Sequence, residues 1–426
     1  MTGWLLLLSP ALAADVEVGG NLKLFHISTY PFDNDLFAAE VQDGTAFTKE
    51  FPLEEDEVKA SASSMGLLTS RFTFDVYANW LTFSVHPQLT VQPGTSTSAL
   101  AVTQTGTGIP QAVDLSWEAV DDDDLLVQLR ADRLVVEVEQ GPVRAALGRQ
   151  AITFGHGLFF TPLDLVNPFF PTSVDQEYKP GVDAARVDGW FGTGGQVSVA
   201  SAYRGDWDRD GMVHAAYAQQ TVGLWDIGLF GALVQGDTVG GLSTAGSIGP
   251  VSLHADASFT SPKQDNEDPF VRAVVGAQGT VTPKTQLMGE VYVQTNGATD
   301  PAAYLDQMSG PRYQRAELWL AGRTYAALSV SQEIQPMLSG SLFAMANLED
   351  QSALLGPGLA WNVADNATAS LGAYVGLGER PVEYQVENHD NVFEAIEQAI
   401  TVSENPLRSE MGATPTTVFA SMQAWF

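Results

Sequence analysis

The chain has 426 residues, 45% of them hydrophobic, no cysteine, and a formal net charge of −31. The hydrophobic share excludes a disordered chain, and the absence of cysteine excludes a disulfide framework. The negative charge excludes a nucleic-acid partner, whose phosphates it would repel; the length admits two or three soluble domains or one large β-barrel.

The chain opens MTGWLLLLSPALAAD. Trp4 to Leu8 form a short apolar run and Ala11-Leu12-Ala13 a small-x-small cleavage site, so residues 1–14 read as an export signal peptide, although no Lys or Arg precedes the run. Residues 15–426 then form one domain. No later stretch supplies the roughly 20 consecutive apolar residues of a transmembrane helix.

From residue 15 onward the sequence alternates with period two. In VSLHADASFT, Val251, Leu253, Ala255, Ala257 and Phe259 share one face, and Ser252, His254, Asp256, Ser258 and Thr260 the other. Such alternation marks a strand with one apolar and one polar face. About 18 segments of this kind are expected on that criterion. They run 15–30, 66–79, 80–92, 125–139, 142–155, 181–192, 196–205, 212–221 and 222–235. They continue 237–248, 251–260, 270–281, 286–296, 314–333, 337–348, 352–363, 366–378 and 415–426.

Short turns such as Gln140-Gly141-Pro142 and Gly249-Pro250 alternate with long polar connectors, 31–65, 93–124, 156–180, 297–313 and 379–414 among them. A soluble sandwich does not usually alternate its connectors over so many strands. A transmembrane barrel does, because its two rims face different compartments. The expected fold is therefore all-β: a transmembrane antiparallel up-and-down barrel of about 18 strands, with its apolar face toward lipid and its polar face inward. The ending fits, with Phe426, Ala424, Met422, Ala420 and Val418 on one face. Trp80, Trp190, Trp225, Trp319, Trp361 and Trp425 lie where interfacial girdles are expected.

Face assignment places Lys23, Arg71, Asp75, Arg130, Asp132, Arg186, Asp188, Arg204 and Asp226 on the inner wall, with Asp256, Arg272, Glu290, Arg315, Glu317 and Arg323. The two signs nearly balance. The acidic excess falls in loops, as in Glu54–Glu57 and Asp121–Asp124, where it suits divalent cations bridging lipopolysaccharide or a solvated, self-repelling surface. A wall of mixed sign suits small polar or charged solutes.

Asp206, Asp208, Asp210 and Gly211 match the opening of a calcium loop, but Tyr217 stands where its bidentate acid belongs, so a plain acidic hairpin competes with a calcium site. No other cofactor motif occurs. Ser252, His254 and Asp256 lie on one strand face at a spacing of about 6–7 Å, too wide for a catalytic triad, and the chain reads as a non-enzyme. Val392, Phe393, Ile396, Ala399 and Ile400 have the spacing of a short amphipathic helix over the barrel mouth.

The most apolar connector, 156–180, follows the strand ending GRQAITFGHG. Phe159, Phe160, Phe169 and Phe170 are costly to expose, while Pro162, Pro168 and Pro171 forbid a strand. Asp164 and Asn167 can tie the path to itself. The expectation is a loop folded inward to narrow the pore, anchored near Arg149; the competing one is a loop lying over the rim. The segment GRQAITFGHG…TPLDLVNPF with KPGVDAARV resembles porin-like outer-membrane barrels, among them the alginate-export type. The resemblance covers about 40 residues and implies a barrel in the bacterial outer membrane, contacting lipid and lipopolysaccharide. Alginate-export barrels are similar in having a lumen dominated by arginine and lysine, whereas this chain has 20 Lys and Arg in all. The function expected is a passive channel; the alternative is a surface-binding or assembly barrel with a plugged lumen.

Overall fold

Alternating side chains become alternating burial. Along 251–261, His254, Asp256, Ser258 and Thr260 are buried, while Val251 and Phe259 are exposed and Leu253, Ala255 and Ala257 are partly so. The same rhythm repeats around the molecule, seen here in a computed structural model that describes residues 14–30, 62–93, 110–121, 125–168, 177–264, 267–380 and 407–426.

The described residues form nineteen strands. The first nine are β1 (Asp15–Tyr30), β2 (Ser63–Ala78), β3 (Leu81–Pro93), β4 (Ser116–Asp121), β5 (Leu125–Gln140), β6 (Val143–Gln150), β7 (Val182–Phe191), β8 (Gly195–Tyr203) and β9 (Met212–Val222). There follow β10 (Trp225–Val234), β11 (Asp237–Ile248), β12 (Val251–Ser261), β13 (Phe270–Thr282) and β14 (Thr285–Gln294). The last five are β15 (Thr324–Gln335), β16 (Leu338–Asn347), β17 (Ser352–Ala364), β18 (Ala367–Leu377) and β19 (Thr416–Trp425).

Every pairing between these strands is antiparallel, and β1 pairs with both β2 and β19, so the sheet closes. β3 pairs with β5 along its length, from Leu81↔Val138 to Pro93↔Leu125. The opposite edge of β5 is divided: β6 takes Leu134 to Gln140, and β4 takes Leu126 to Arg130. β4 and β6 thus share one wall position, and nineteen strands make an eighteen-position barrel. Closure pairs the backbone amides and carbonyls of the wall with one another, as a hydrocarbon environment requires. Among the described residues no helix is long and apolar enough to cross a membrane.

The outer surface is apolar, with Leu229, Leu242, Val275, Val291, Leu342 and Leu371 exposed on β10, β11, β13, β14, β16 and β18. Trp80, Trp190 and Trp361 are exposed near strand ends, as girdle residues should be. Two of the tryptophans expected there are elsewhere. The Trp425 indole N–H donates to Glu177 at 3.2 Å on the inner side, and Trp319 lies in a loop packed against the interior cluster. Strand ends attract indole on either face, and sequence position alone does not choose the face.

The expected strand boundaries agree within a few residues except at three places. The 142–155 strand stops at Gln150, because Ile152 and Phe154 turn in to a buried apolar cluster. The 314–333 strand starts at Thr324. Before it, Pro301 and Pro311 each sit at a first helical position and start a 3-10 turn and two short helices, α1 (Tyr304–Ser309) and α2 (Pro311–Gln314). Strand β4, six residues in the 93–124 connector, is too short to show a period. The signal-peptide residues 1–13, the acidic runs 54–57 and 122–124, and the amphipathic segment 392–400 lie outside the described residues.

Most of the short turns share the rim that holds the start of β1 and the end of β19; Gln235-Gly236, between β10 and β11, lies at the other rim. Gly141 and Gly249 stand at the first of these rims at φ of 58° and 59°, which glycine adopts without strain. Leu229, 61% exposed at the middle of β10, faces outward. Leu229→Arg is expected to destabilise the barrel in bilayers by about 2–4 kcal/mol. Urea unfolding in lipid vesicles measures this; an unchanged midpoint would mean that this face does not meet hydrocarbon.

Candidate functional site

After Gln150 the chain leaves the wall and enters the barrel. Its apolar side chains find an apolar inner wall. Ile152, Phe154, Leu163, Leu165 and Val166 pack with Val182, Ala184, Ala200, Ala215, Tyr217, Phe230 and Val239 from β7 to β11. The Phe154 ring lies 5.6 Å from Phe230 and 5.9 Å from Tyr217. Burial against protein removes the cost that exposed phenylalanines would carry in water.

The loop then meets the wall at β12 and β14. The amides of His156 and Gly157 donate to Asp256 Oδ2 at 2.6 and 2.8 Å. Those of Leu158, Phe159 and Phe160 donate to Glu290 at 2.6, 2.9 and 2.9 Å. The His254 ring joins Glu290 at 2.7 Å. An irregular segment must satisfy its amides somewhere, and carboxylates are strong acceptors. Phe160 stacks on Tyr292 with centroids 4.8 Å apart, and Phe159 packs on Phe343.

Further on, Asn167 donates to the Pro180 carbonyl at 3.0 Å, and Lys179 pairs with Asp164 while donating to Ile152 O at 2.6 Å and Thr153 Oγ1 at 2.8 Å. The loop therefore closes on itself as its composition suggested. Its returning end reaches the opposite wall. Glu177 pairs with Lys23 of β1 at 2.6 Å and accepts from Gln423 of β19, and the Tyr178 ring lies 4.3 Å from the Arg71 guanidinium. Residues 151–168 are seated inside the barrel, not over its rim; Phe169 and Phe170 lie outside the described residues.

Arg149 does not anchor this loop. It is 1% exposed and bidentate to Asp183, with further bonds to the carbonyls of Ala131 and Val113. Leu147, two residues earlier, is exposed, so Arg149 has outward parity and Gln150 inward parity. The segment 110–115 covers the pair, and Asp183 accepts from the Ala112 amide at 2.8 Å. This seals the wall where β6 ends.

A second inward loop joins β14 to β15. Arg312 pairs with Asp237 at 2.8 Å, Glu267 at 2.6 Å and Glu317 at 3.0 Å; Arg315 pairs with Asp237 and Glu317; Arg272 lies 3.8 Å from Glu317. Arg315 and Glu317, expected on a strand, are therefore loop residues. Burial alone would raise the Glu317 carboxyl, yet the guanidiniums of Arg272, Arg312 and Arg315 hold it below the ordinary range. Leu320 from this loop joins Phe160 and Tyr292 in one cluster, so the two loops pack together.

The remaining wall residues divide. Lys23, Arg71, Arg130, Asp132, Asp188, Asp256, Arg272 and Glu290 are buried on the inner side. Arg71 and Arg133 both pair with Asp132, Asp75 holds His86 at 3.1 Å, and Asp188 accepts from Arg144, Arg186 and Ser198. Asp226 accepts from Thr221 near the short-turn rim, Arg204 donates to the Arg315 carbonyl, and Arg323 is exposed at the start of β15. Asp208 caps its own turn through the amides of Asp210 and Gly211, and Asp210 pairs with Lys263. Among the described residues no three His, Asp or Glu side chains converge as a metal site, Asp206, Asp208 and Asp210 included. Sequence reading missed His86, Arg133, Lys179 and Glu177; Lys179 and Glu177 lie in a connector, where alternation assigns no face.

No family model and no curated protein matches the sequence. Solved structures do match the fold. Acinetobacter baumannii OccAB2 is 7% identical with a TM-score of 0.53, covering 97% of this chain and 98% of that one. Pseudomonas aeruginosa OccK9 (OpdG) is 11% identical at 0.54, covering 97% and 98%. Pseudomonas aeruginosa OccD3 (OpdP) is 8% identical at 0.52, covering 98% and 92%. The likeness is one of fold over nearly the whole chain.

Glu290→Ala leaves three amides and a histidine without their acceptor and is expected to cost about 1–3 kcal/mol per orphaned buried donor. Protease cleavage within 156–160 should rise while the barrel stays folded; equal resistance to wild type would mean that the loop is held without Glu290. A second expectation follows from Glu317. Its depressed pKa contributes stability that is present above the ordinary carboxylate range and lost as pH falls through the lower value. Thermal unfolding should show wild type losing stability on acidification below about pH 4, the ordinary glutamate value, and Glu317→Gln losing less; parallel curves would refute the assignment.

Proposed function

We propose that the chain is a bacterial outer-membrane, porin-like channel for passive passage of small polar or charged solutes. The observation that carries this reading is the pairing of an apolar outer surface with a charged inner wall that a fixed loop crosses. A wall buried against another sheet needs no such lining. His254, the histidine of the sequence trio, is bonded to Glu290.

The loop supplies a constriction. It spans from β12 and β14 to β1 and β19, and its own packing and the two wall carboxylates fix its path. Phe159, Phe160, Asp164 and Asn167 hold its shape, the half-buried Asp75 and Arg186 line the wall that solutes pass, and Lys23, Arg71, Arg130 and Asp132 carry wall charge that is buried. Lipid and lipopolysaccharide surround the barrel. The inner wall carries both signs in paired form, so the reading stops at small solutes and does not extend to a polyanion such as alginate. A plugged barrel is the second reading, favoured by the packing of two inward loops together.

Single-channel recording in planar bilayers separates these readings. The channel reading expects stepwise conductance. The net charge of −31 expects cation preference at low salt, fading toward 1 M, where screening shortens to about 3 Å. Deleting Phe159–Phe170 should raise conductance with the barrel still folded. Silence of both wild type and deletion would sink the channel reading, and anion preference at low salt would assign permeation to the wall arginines.

A further inference from the structure

Four arginines of the molecule use one edge of the guanidinium alike. Arg144, Arg149, Arg312 and Arg315 direct Nε and Nη2 to a carboxylate, that of Asp188, Asp183, Glu267 and Glu317 in turn. This edge is the fork that matches the oxygens of a carboxylate or another oxyanion. In Arg272 of β13 the same edge is open. Its Nε and Nη2 have no hydrogen-bond partner among the described residues, although the side chain is 3% exposed. Its Nη1 donates to the Glu317 carbonyl at 3.3 Å, and the Glu317 carboxylate stands 3.8 Å from Nη2, beyond hydrogen-bond reach. Ser258, opposite Arg272 in the β12–β13 register, also has a buried hydroxyl without a partner among the described residues. Buried donors ordinarily meet an acceptor.

Arg272 also lines a cavity of about 40 Å³ between the two inward loops, together with Phe160 and Thr161 of the first and Glu317 and Trp319 of the second. A water-sized group needs about 10–15 Å³, so the space suits about three, the non-hydrogen atoms of a carboxylate group. The charge favours an anion over water. Four guanidiniums, of Arg204, Arg272, Arg312 and Arg315, meet three carboxylates, of Asp237, Glu267 and Glu317, which leaves one positive charge in excess. Glu317 is already held by Arg312 and Arg315 at 3.0 and 2.6 Å. Nearby, Asp164 is matched by Lys179, and Asp256 and Glu290 are met by loop amides. Water in the cavity would satisfy donors and leave the excess charge unbalanced.

We propose that the seam between the two inward loops is a binding site for a carboxylate-sized oxyanion, held by the Nε and Nη2 edge of Arg272. The anion stands to Arg272 as Asp183 stands to Arg149. Seated between the wall and both loops, it ties the two loops together. The site goes beyond the channel reading and does not depend on it, because a tie between loops serves a conducting and a plugged barrel alike.

The test is amide hydrogen exchange, read by mass spectrometry, on the full chain in lipid vesicles. Sodium formate replaces sodium chloride at constant pH and ionic strength. Exchange in peptides from 156–168 and 311–322 should slow and then saturate, by about tenfold at ten times the dissociation constant, while peptides from β18 stay unchanged. Arg272→Lys, which keeps the charge and loses the fork, should lose this response. If that variant does not fold, wild type carries the test: formate should show saturation transfer from the protein, and acetate should displace it. Hexanoate acting as well as acetate makes the site a seat for the end of a longer solute; formate and acetate acting alone make it a seat for a free anion. Equal exchange in formate and chloride, formate that acetate does not displace, or a response that Arg272→Lys keeps in full overturns the proposal. Neither readout uses conductance, so a silent bilayer counts against the channel reading alone.

Discussion

Five consecutive backbone amides, His156 to Phe160, end on two carboxylates of the barrel wall, Asp256 and Glu290. An irregular segment inside a closed sheet has no strand to pair with, and water reaches it poorly. Without those two acceptors the loop would carry a row of buried, unpaired donors, each costing about 1–3 kcal/mol. Once they are met, the rest follows: the phenylalanines turn to the wall, the loop's far end arrives at β1 and β19, and the β14–β15 loop has a surface to pack on. Glycine helps at one point. A Cβ on Gly276 would fall 2.3 Å from the His254 ring and 2.7 Å from Glu290, so the wall must lack a side chain there.

The inner wall uses charge in two ways. Around Glu317 and Asp132, guanidiniums and carboxylates neutralise one another, and the pairs fix loops or strands by direct attraction. At Glu290 and at Glu410, in the β18–β19 connector, the acids are met by amides, one hydroxyl, a carboxamide and an imidazole. The two kinds of contact lie side by side in one loop, with Glu317 and Ala321 four residues apart.

The barrel was legible because lipid and water impose opposite demands on alternate residues, and 251–260 or 367–377 state both plainly. The lumen was less so. Alternation assigns a side chain to a face, and that located Asp256, Glu290 and Arg272. It does not say which strands a loop will reach, so Asp256 and Glu290 read as pore lining when they are the loop's acceptors. Arg149 shows the other limit. Its parity is outward, and an arginine facing outward looks wrong until Asp183 and the covering segment 110–115 are in place. That pairing links residues 34 apart and a segment from a different connector, and no local pattern records it.

Where β6 stops at Gln150, the wall is completed by β4, which belongs to an earlier part of the chain. The barrel thus lends one strand's worth of chain to its interior while β4 keeps that end of β5 paired. Circumference and loop length are uncoupled at this position: the segment between Gln150 and Val182 can change in size or sequence while eighteen positions still close the ring. A patched wall of this kind separates the part of the molecule that must satisfy lipid from the part that fills its interior.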